Sequence, residues 1–322
     1  MKKEEIYKIN TSKLWNNYKY VKKYDDFKYT NKDGNTYYMH SRRDGVLSYL
    51  KDVNFNNNKT ILELGFGAGQ NAKYFIKKSR KFYGIDISAP LAKFARKNNR
   101  SAVKKGKAKF LVGSMDKKFA IKSNSIDVII IVGALQYVIN PNFCLKECKR
   151  VLKKNGHLII AQTNTFQINE MIHPRKFLVN FVKFLIDEHH QYSHSDTIRS
   201  LLLETKLKKY FYKYKKSWLM NSWLFTYGWN DVWKFETNRR LLSYGRLKNI
   251  LIKNGFLIKK STGYPFFYNN KNFLTKIILP IFDKILIQFN KIFIFSFFLR
   301  YVAGSNIFLC KNLPYCQSLV IL

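Results

Sequence analysis

Apolar residues gather into short runs along the first half of the chain, each closed by glycine, asparagine or a charged residue. Thr60 to Leu64 is the first, and Lys81 to Ile85, Phe110 to Val112, Ser125 to Val132 and His157 to Gln162 follow it. The fourth run carries Val128-Ile129-Ile130-Ile131-Val132 without alternation, the mark of a strand covered by helices on both faces. Helical segments lie between the runs: Ala72 to Lys78, a stretch opening at Pro90, and an amphipathic segment from Phe143 to Leu152. Ser88 is the better cap for the second of these, with Pro90 inside its first turn. Asn155-Gly156 is a turn former that separates the third helix from the fifth run. Short buried strands alternating with helices predict an α/β fold built on a mostly parallel sheet.

The first run ends in Glu63 and opens into glycines at alternate positions, Gly65, Gly67 and Gly69. A turn without Cβ atoms admits positive φ and lets backbone lie against a ligand. Buried strand, glycine turn and helix in succession are how open α/β sheets bind nucleotide-like cofactors. A dinucleotide fingerprint needs glycine three places after the second one, where this chain has Gln70, and no Gly-Lys-Ser/Thr follows to make a P-loop. The remaining pattern, Glu63-Leu64-Gly65-Phe66-Gly67-Ala68-Gly69, resembles the class I S-adenosylmethionine-dependent methyltransferases.

Later residues extend the resemblance. Asp86 closes the second run at about the 20-residue interval expected of a carboxylate that holds ribose hydroxyls, and it is followed by Ile87. Met115-Asp116 fill the places where the family packs a side chain on the adenine ring and holds its amino group. Ser125-Ile126-Asp127 and the Leu152 to Gly156 turn match further segments, with Ile126 for the usual Phe and Asn155 for the usual Pro. The resemblance implies a Rossmann-like seven-stranded sheet, mostly parallel, with helices on both faces and an antiparallel final strand. It implies S-adenosylmethionine as cofactor, held by Glu63, Gly65, Phe66, Gly67, Gly69, Asp86, Ile87, Met115, Asp116 and Gly133. Met39 to Val53 would be the helix before the first strand, Ser243 to Asn254 the helix before the sixth. Leu257 to Thr262 and Asn306 to Lys311 would be the last two strands.

The chain then divides into an N-terminal helical segment, 1–58, that covers the cofactor site, and a cofactor-binding core, 59–162. A helical insertion, 163–240, is the expected substrate cap. Residues 241–322 complete the core around an apolar helical excursion at 265–303. That excursion is broken by Pro280 and interrupted by Asp283, Lys284 and Lys291, so it holds no run of about 20 apolar residues able to span a bilayer. It reads either as a cover for the substrate pocket or as an amphipathic surface on a membrane.

Composition changes this picture in one respect. A hydrophobic content of 46% allows a full core, but the formal charge of +38 is extreme. It points to an anionic partner such as RNA or a membrane surface, or to codon bias, since Lys, Asn, Ile, Phe and Tyr are abundant together. Cys144, Cys148, Cys310 and Cys316 lack metal or disulfide spacing, and the start of the chain is polar, so a cytoplasmic protein is expected, peripheral to the inner membrane face at most.

Methyl transfer by in-line displacement asks the protein mainly to align an acceptor and exclude water. The acceptor should sit beside Gly133 to Tyr137 and Gln162 to Asn164. That region lacks the Asn/Asp-Pro-Pro-Tyr motif of enzymes that methylate base amino groups. A small-molecule, lipid-linked or sugar-linked acceptor is therefore expected, with RNA methylation or a silent cofactor-binding scaffold as the alternatives. No pattern identifies a catalytic base; His190 and Tyr137 are the candidates. The spacing of His190 and His194 would also suit a metal, but Ser193 and the polar run around it favour a loop, and no metal is assigned.

Overall fold

The computed structural model describes residues 12–13, 15–17, 21, 35–53, 58–164, 242–264, 281–282, 284–286, 303 and 305–312. Its strands are β1 (Thr60–Leu64), β2 (Lys81–Asp86), β3 (Ala108–Val112), β4 (Ile126–Val132), β5 (Leu152–Thr163), β6 (Phe256–Gly263) and β7 (Ser305–Asn312). They form one sheet in the order β3-β2-β1-β4-β5-β7-β6. Pairing is parallel from β3 to β5, and β7 runs antiparallel to both β5 and β6. This is the expected architecture, seven strands with a reversed last one.

Helices α1 (Asn35–Asp52), α2 (Ala72–Lys77), α3 (Ala89–Asn98), α4 (Arg100–Lys104), α5 (Pro141–Val151) and α6 (Tyr244–Lys253) cover the sheet. Successive strand residues point to opposite faces and enter two separate cores. Leu62, Ile129, Ile131, Leu158, Ile160 and Phe308 pack with Leu145 and Cys148 of α5 and Leu247 and Leu251 of α6. Ile61, Val128, Ile130, Ile159 and Ile307 pack instead with Leu50 of α1, Phe75 of α2 and Ala95 of α3. Both faces are thus buried, which is why β4 shows no polar alternation. Each such side chain contributes about 1.5–3 kcal/mol on full burial.

Local signals set the helix ends. Ser88 Oγ accepts from the Leu91 amide at the start of α3, and Ser243 Oγ accepts from the Arg246 amide at the start of α6. Gly255 (φ 73°) turns the chain from α6 into β6. The Asn-Gly turn lies inside β5: pairing with β4 passes from Leu152 to His157, and the four residues between loop out around Asn155 at φ 63°. His157 is only half-buried, because it sits just after that loop, far from the carboxyl end of β5.

Strand order reverses between β2 and β4 on either side of β1, and an open α/β sheet gapes at the carboxyl ends of such a pair. Residues 165–241, which hold the expected insertion, lie outside the described residues, as does all of the 265–303 excursion except 281–282, 284–286 and 303. Among the described residues no helix is long and apolar enough to cross a membrane.

Candidate cofactor site

A cleft opens above the carboxyl ends of β1, β2, β3 and β4, of about 700 Å³ with the solvent at its mouth. That volume lies within the roughly 300–1,000 Å³ of small-molecule sites. The turn after β1 forms its floor. Gly65, Gly67 and Gly69 all have positive φ, 74°, 57° and 75°, and serve different ends. A Cβ on Gly65 would lie 2.2 Å from Ala134 Cβ, so this glycine lets the loop after β4 close against β1. One on Gly69 would strike Asn99 and Ala95 of the α3 region, so this glycine seats the turn on that helix. One on Gly67 would meet nothing within 4 Å. Gly67 faces the opening and leaves bare backbone toward it.

Two carboxylates end the neighbouring strands. Asp86 Oδ2 accepts from the Gly67 amide and Oδ1 from the Ser88 amide, both at 2.9 Å, so Asp86 shapes the glycine turn as well as lining the cleft. Burial raises its pKa against the opposing pull of these amide hydrogen bonds. Asp116 Oδ1 accepts from the Ile139 and Asn140 amides, each at 2.9 Å, which draws the loop before α5 over the site. Glu63 lies behind the floor, 2% exposed. Burial, and secondarily the Asp86 carboxylate, push its pKa well above the ordinary value, and among the described residues its Oε2 has no hydrogen-bond partner.

Of the residues singled out in the sequence, Gly65, Gly67, Asp86, Ile87, Met115, Asp116, Gly133 and Tyr137 line this one cleft. Glu63, Phe66 and Gly69 do not reach its wall. The Phe66 ring turns into the core, edge-on to Phe110 at 5.1 Å and against Gly84, where a Cβ would be 2.5 Å away. His190 lies outside the described residues, as do His189 and His194. Among the described residues no group of three His, Cys, Asp or Glu side chains is placed to hold a metal ion.

Residues 62–160 match the family model described as a methyltransferase domain, a stretch that runs from β1 through the glycine turn to β5. Over this stretch the chain is similar to the class I S-adenosylmethionine-dependent methyltransferases. The cofactor of this methyltransferase domain is S-adenosylmethionine. The chain is 36% identical over 100 residues to an uncharacterized protein of Methanocaldococcus jannaschii, covering 31% of this chain and 42% of that protein. It is 26% identical over 157 residues to demethylmenaquinone methyltransferase of Tropheryma whipplei, covering 46% and 60% respectively. The matches thus span less than two thirds of either relative. In fold it resembles Phospholethanolamine N-methyltransferase 2 of Haemonchus contortus, with TM-score 0.53 and 13% identity, covering 96% of this chain and 61% of that one.

No sequence signal announced Trp15 in the cleft wall or Arg42 behind it. Trp15 closes one side, its ring edge-on to Tyr137 at 5.6 Å. Its carbonyl accepts from Ser88 Oγ, and Asn16 Oδ1 accepts from the Ala89 amide at 3.1 Å, so residues 15–16 are hooked onto α3. Arg42 of α1, 4% exposed, lies against Gly133: a Cβ there would sit 2.5 Å from Nη2. Arg42 Nη2 and the Gly133 amide both donate to the Ala161 carbonyl, at 2.8 and 2.7 Å, which ties α1 across the ends of β4 and β5. The groups in the cleft suit the cofactor: open space over Gly67, and the Asp86 and Asp116 carboxylates to accept from hydroxyl and amino groups.

Proposed function

We propose that the chain transfers a methyl group from S-adenosylmethionine to a small-molecule or lipid-linked acceptor. The observation that carries this reading is the convergence, in one cleft, of the unobstructed Gly67 turn with Asp86 and Asp116 from two further strands. The turn from Gly65 to Gly67 receives the methionine end, where only backbone intrudes. Asp86 accepts from the ribose hydroxyls: its two oxygens each take one amide and keep further lone pairs. Among the described residues, Asp116 Oδ2 accepts no hydrogen bond, and it takes the adenine amino group while Met115 packs on the ring. Bound there, the cofactor supplies an electrophilic methyl group.

The remaining task for the chain is alignment and exclusion of water. Trp15 and Tyr137 wall the cleft. The acceptor enters above β4 and β5, near Tyr137 and Gln162. His40 and His157 are the described histidines, and neither lines the cleft. Tyr137 is the described side chain best placed to meet an acceptor proton. A small, lipid-linked acceptor is in keeping with the relative that bears the name demethylmenaquinone methyltransferase.

The test is methyl transfer from labelled S-adenosylmethionine into fractionated cell extract, with calorimetric titration of S-adenosylhomocysteine alongside. Label in the organic-soluble or small-molecule fraction is the expected result. Label in RNA alone would replace this acceptor class by the polyanion that the charge of +38 suggests. Cofactor affinity without label in any fraction would leave a binding scaffold.

A further inference from the structure

Between Lys73 and Lys122 the chain carries sixteen lysines and arginines against two acids, Asp86 and Asp116. Both acids belong to the cofactor cleft, where backbone amides engage their oxygens. The cations lie on the surface: Lys93 and Lys97 of α3, Lys104 of α4, Lys109 of β3, and Lys117 and Lys118 after it are all exposed. β3 is an edge strand, with α3 and α4 packed on one face of the sheet and Phe119 buried on the other, so this charge wraps the edge. The ion pairs among the described residues, Arg43–Asp44, Arg150–Glu147, Lys153–Asp127 and Lys260–Asp52, all use cations outside this stretch. Composition alone would intersperse acids here as it does in α1, where Arg42, Arg43 and Lys51 accompany Asp44 and Asp52. The β3 flank is a block of one sign, the footprint of an anionic partner.

A second surface says which anion. Ile281 and Phe282 are each 52% exposed and Ile285 is 45% exposed, on helical residues that also expose Lys284. Residues four apart share a helix face, so Ile281 and Ile285 offer one apolar patch beside a cation. From 265 to 303 the chain has Lys271, Lys276, Lys284, Lys291 and Arg300 against Asp283 alone. Single-stranded nucleic acid is held by bases stacked on aromatic rings, and none of the aromatic residues from 73 to 122 is exposed. A phosphate backbone would also leave the 281–285 patch in water. A bilayer takes both: anionic headgroups meet the lysines, and the acyl boundary takes the apolar side chains. We infer that the chain docks on an anionic lipid bilayer through the basic β3 flank and the apolar patch at 281–285. The purpose of the contact, though not its physics, rests on the methyl-transfer reading above. The turn after β3 carries Met115 and Asp116 into the cleft immediately before Lys117 and Lys118. Docking there brings the cofactor cleft to the surface that holds a lipid-linked acceptor.

The experiment floats the full chain with vesicles of phosphatidylcholine alone and of an equal mixture with phosphatidylglycerol. At low salt the mixed vesicles should bind about tenfold or more tightly, and the gap should close as salt rises. The combined change Lys104→Glu, Lys105→Glu and Lys109→Glu should abolish the preference for the mixed vesicles. Ile281→Ser with Phe282→Ser should keep that preference but weaken binding about tenfold or more, the loss expected for two apolar side chains kept from the acyl boundary. All five positions are exposed and away from the cleft, so thermal midpoint and S-adenosylhomocysteine affinity should match wild type in both variants. No vesicle binding, equal binding to the two compositions, or wild-type binding by either variant would overturn the inference. Tighter binding to an RNA duplex than to mixed vesicles at equal phosphate concentration would overturn it too, by giving the flank to nucleic acid. Vesicle binding by a chain that takes no S-adenosylhomocysteine would remove the cofactor reading and leave the docking in place.

Discussion

Gly65 and Gly67 differ by two positions and share a left-handed backbone, yet they answer to different forces. At Gly65 the constraint is packing against Ala134, and at Gly67 it is the space a ligand would fill. Gly65→Ala should therefore destabilise the unliganded chain by about 1–3 kcal/mol through overpacking, on top of the left-handed penalty of about 1–2 kcal/mol. Gly67→Ala should cost only the left-handed penalty of about 1–2 kcal/mol yet weaken S-adenosylhomocysteine binding sharply. Urea unfolding and calorimetry on both variants separate the two effects. Glu63 gives a second prediction. A carboxyl whose folded pKa is raised stabilises the fold while protonated; that contribution is whole below its unfolded pKa and is lost as pH rises through the folded one. Glu63→Gln cannot ionise, so its urea midpoint should exceed that of wild type at alkaline pH, and the gap should close on acidification.

Elements are held in register by a few side chains that reach across them. Arg150 of α5 donates to the carbonyls of Phe119 and Ile121 and to Ser123 Oγ, and pairs with Glu147 at 2.7 Å, while Glu147 accepts from the Phe119 amide at 2.9 Å. The pair thereby anchors the segment between β3 and β4, the same segment that brings Met115 and Asp116 to the cleft. Removing these charged hydrogen bonds with Arg150→Ala should lower stability by about 2–3 kcal/mol. Hydrogen bonding from Arg150 holds the Glu147 pKa below its ordinary value. That contribution is present above the ordinary carboxylate range and lost as pH falls through the depressed value, so the difference between Arg150→Ala and wild type should narrow in acid denaturation. At the other end of the sheet, Asp127 accepts from the Thr60 amide at 2.8 Å and pairs with Lys153 at 2.9 Å, joining the starts of β1 and β4 to the turn in β5.

For the whole molecule, the charge of +38 gains meaning from where the acids go. Glu63 and Asp86 are buried, and Asp127 and Glu147 are bonded to the backbone and to their own cations. Little negative charge from these groups is left to offset the surface lysines. Binding to a generic polyanion should therefore be measurable at low salt and fall steeply as salt rises. If the proposed cleft holds S-adenosylhomocysteine by backbone dipoles and hydrogen-bonded carboxylates, affinity for it should change little across the same salt series. Saturating that ligand at about 100 times its Kd should raise unfolding free energy by about 2.7 kcal/mol, read as a shift in thermal midpoint.

Alternating buried runs and helices, the glycine turn after β1, Asp86 and Asp116 were legible in the chain because each is a local pattern: a run of apolar residues, a missing Cβ, a carboxylate at a strand end. The cap at Ser88 and the turn at Asn155 were legible for the same reason. Phe66 shows the limit, since its place in the motif says nothing about which way its ring turns, and contact with Gly84 and Phe110 decided that. Trp15 carries no spacing that ties it to the cleft, nor Arg42 any that ties it to Gly133 behind the wall, and only the packing of residues 15–16 on α3 and of α1 across the sheet brings them there. Gln162 and Asn306 stand opposite one another through the register of β5 against β7. A slip of one residue would send either amide to the opposite face, and that choice belongs to long-range strand pairing.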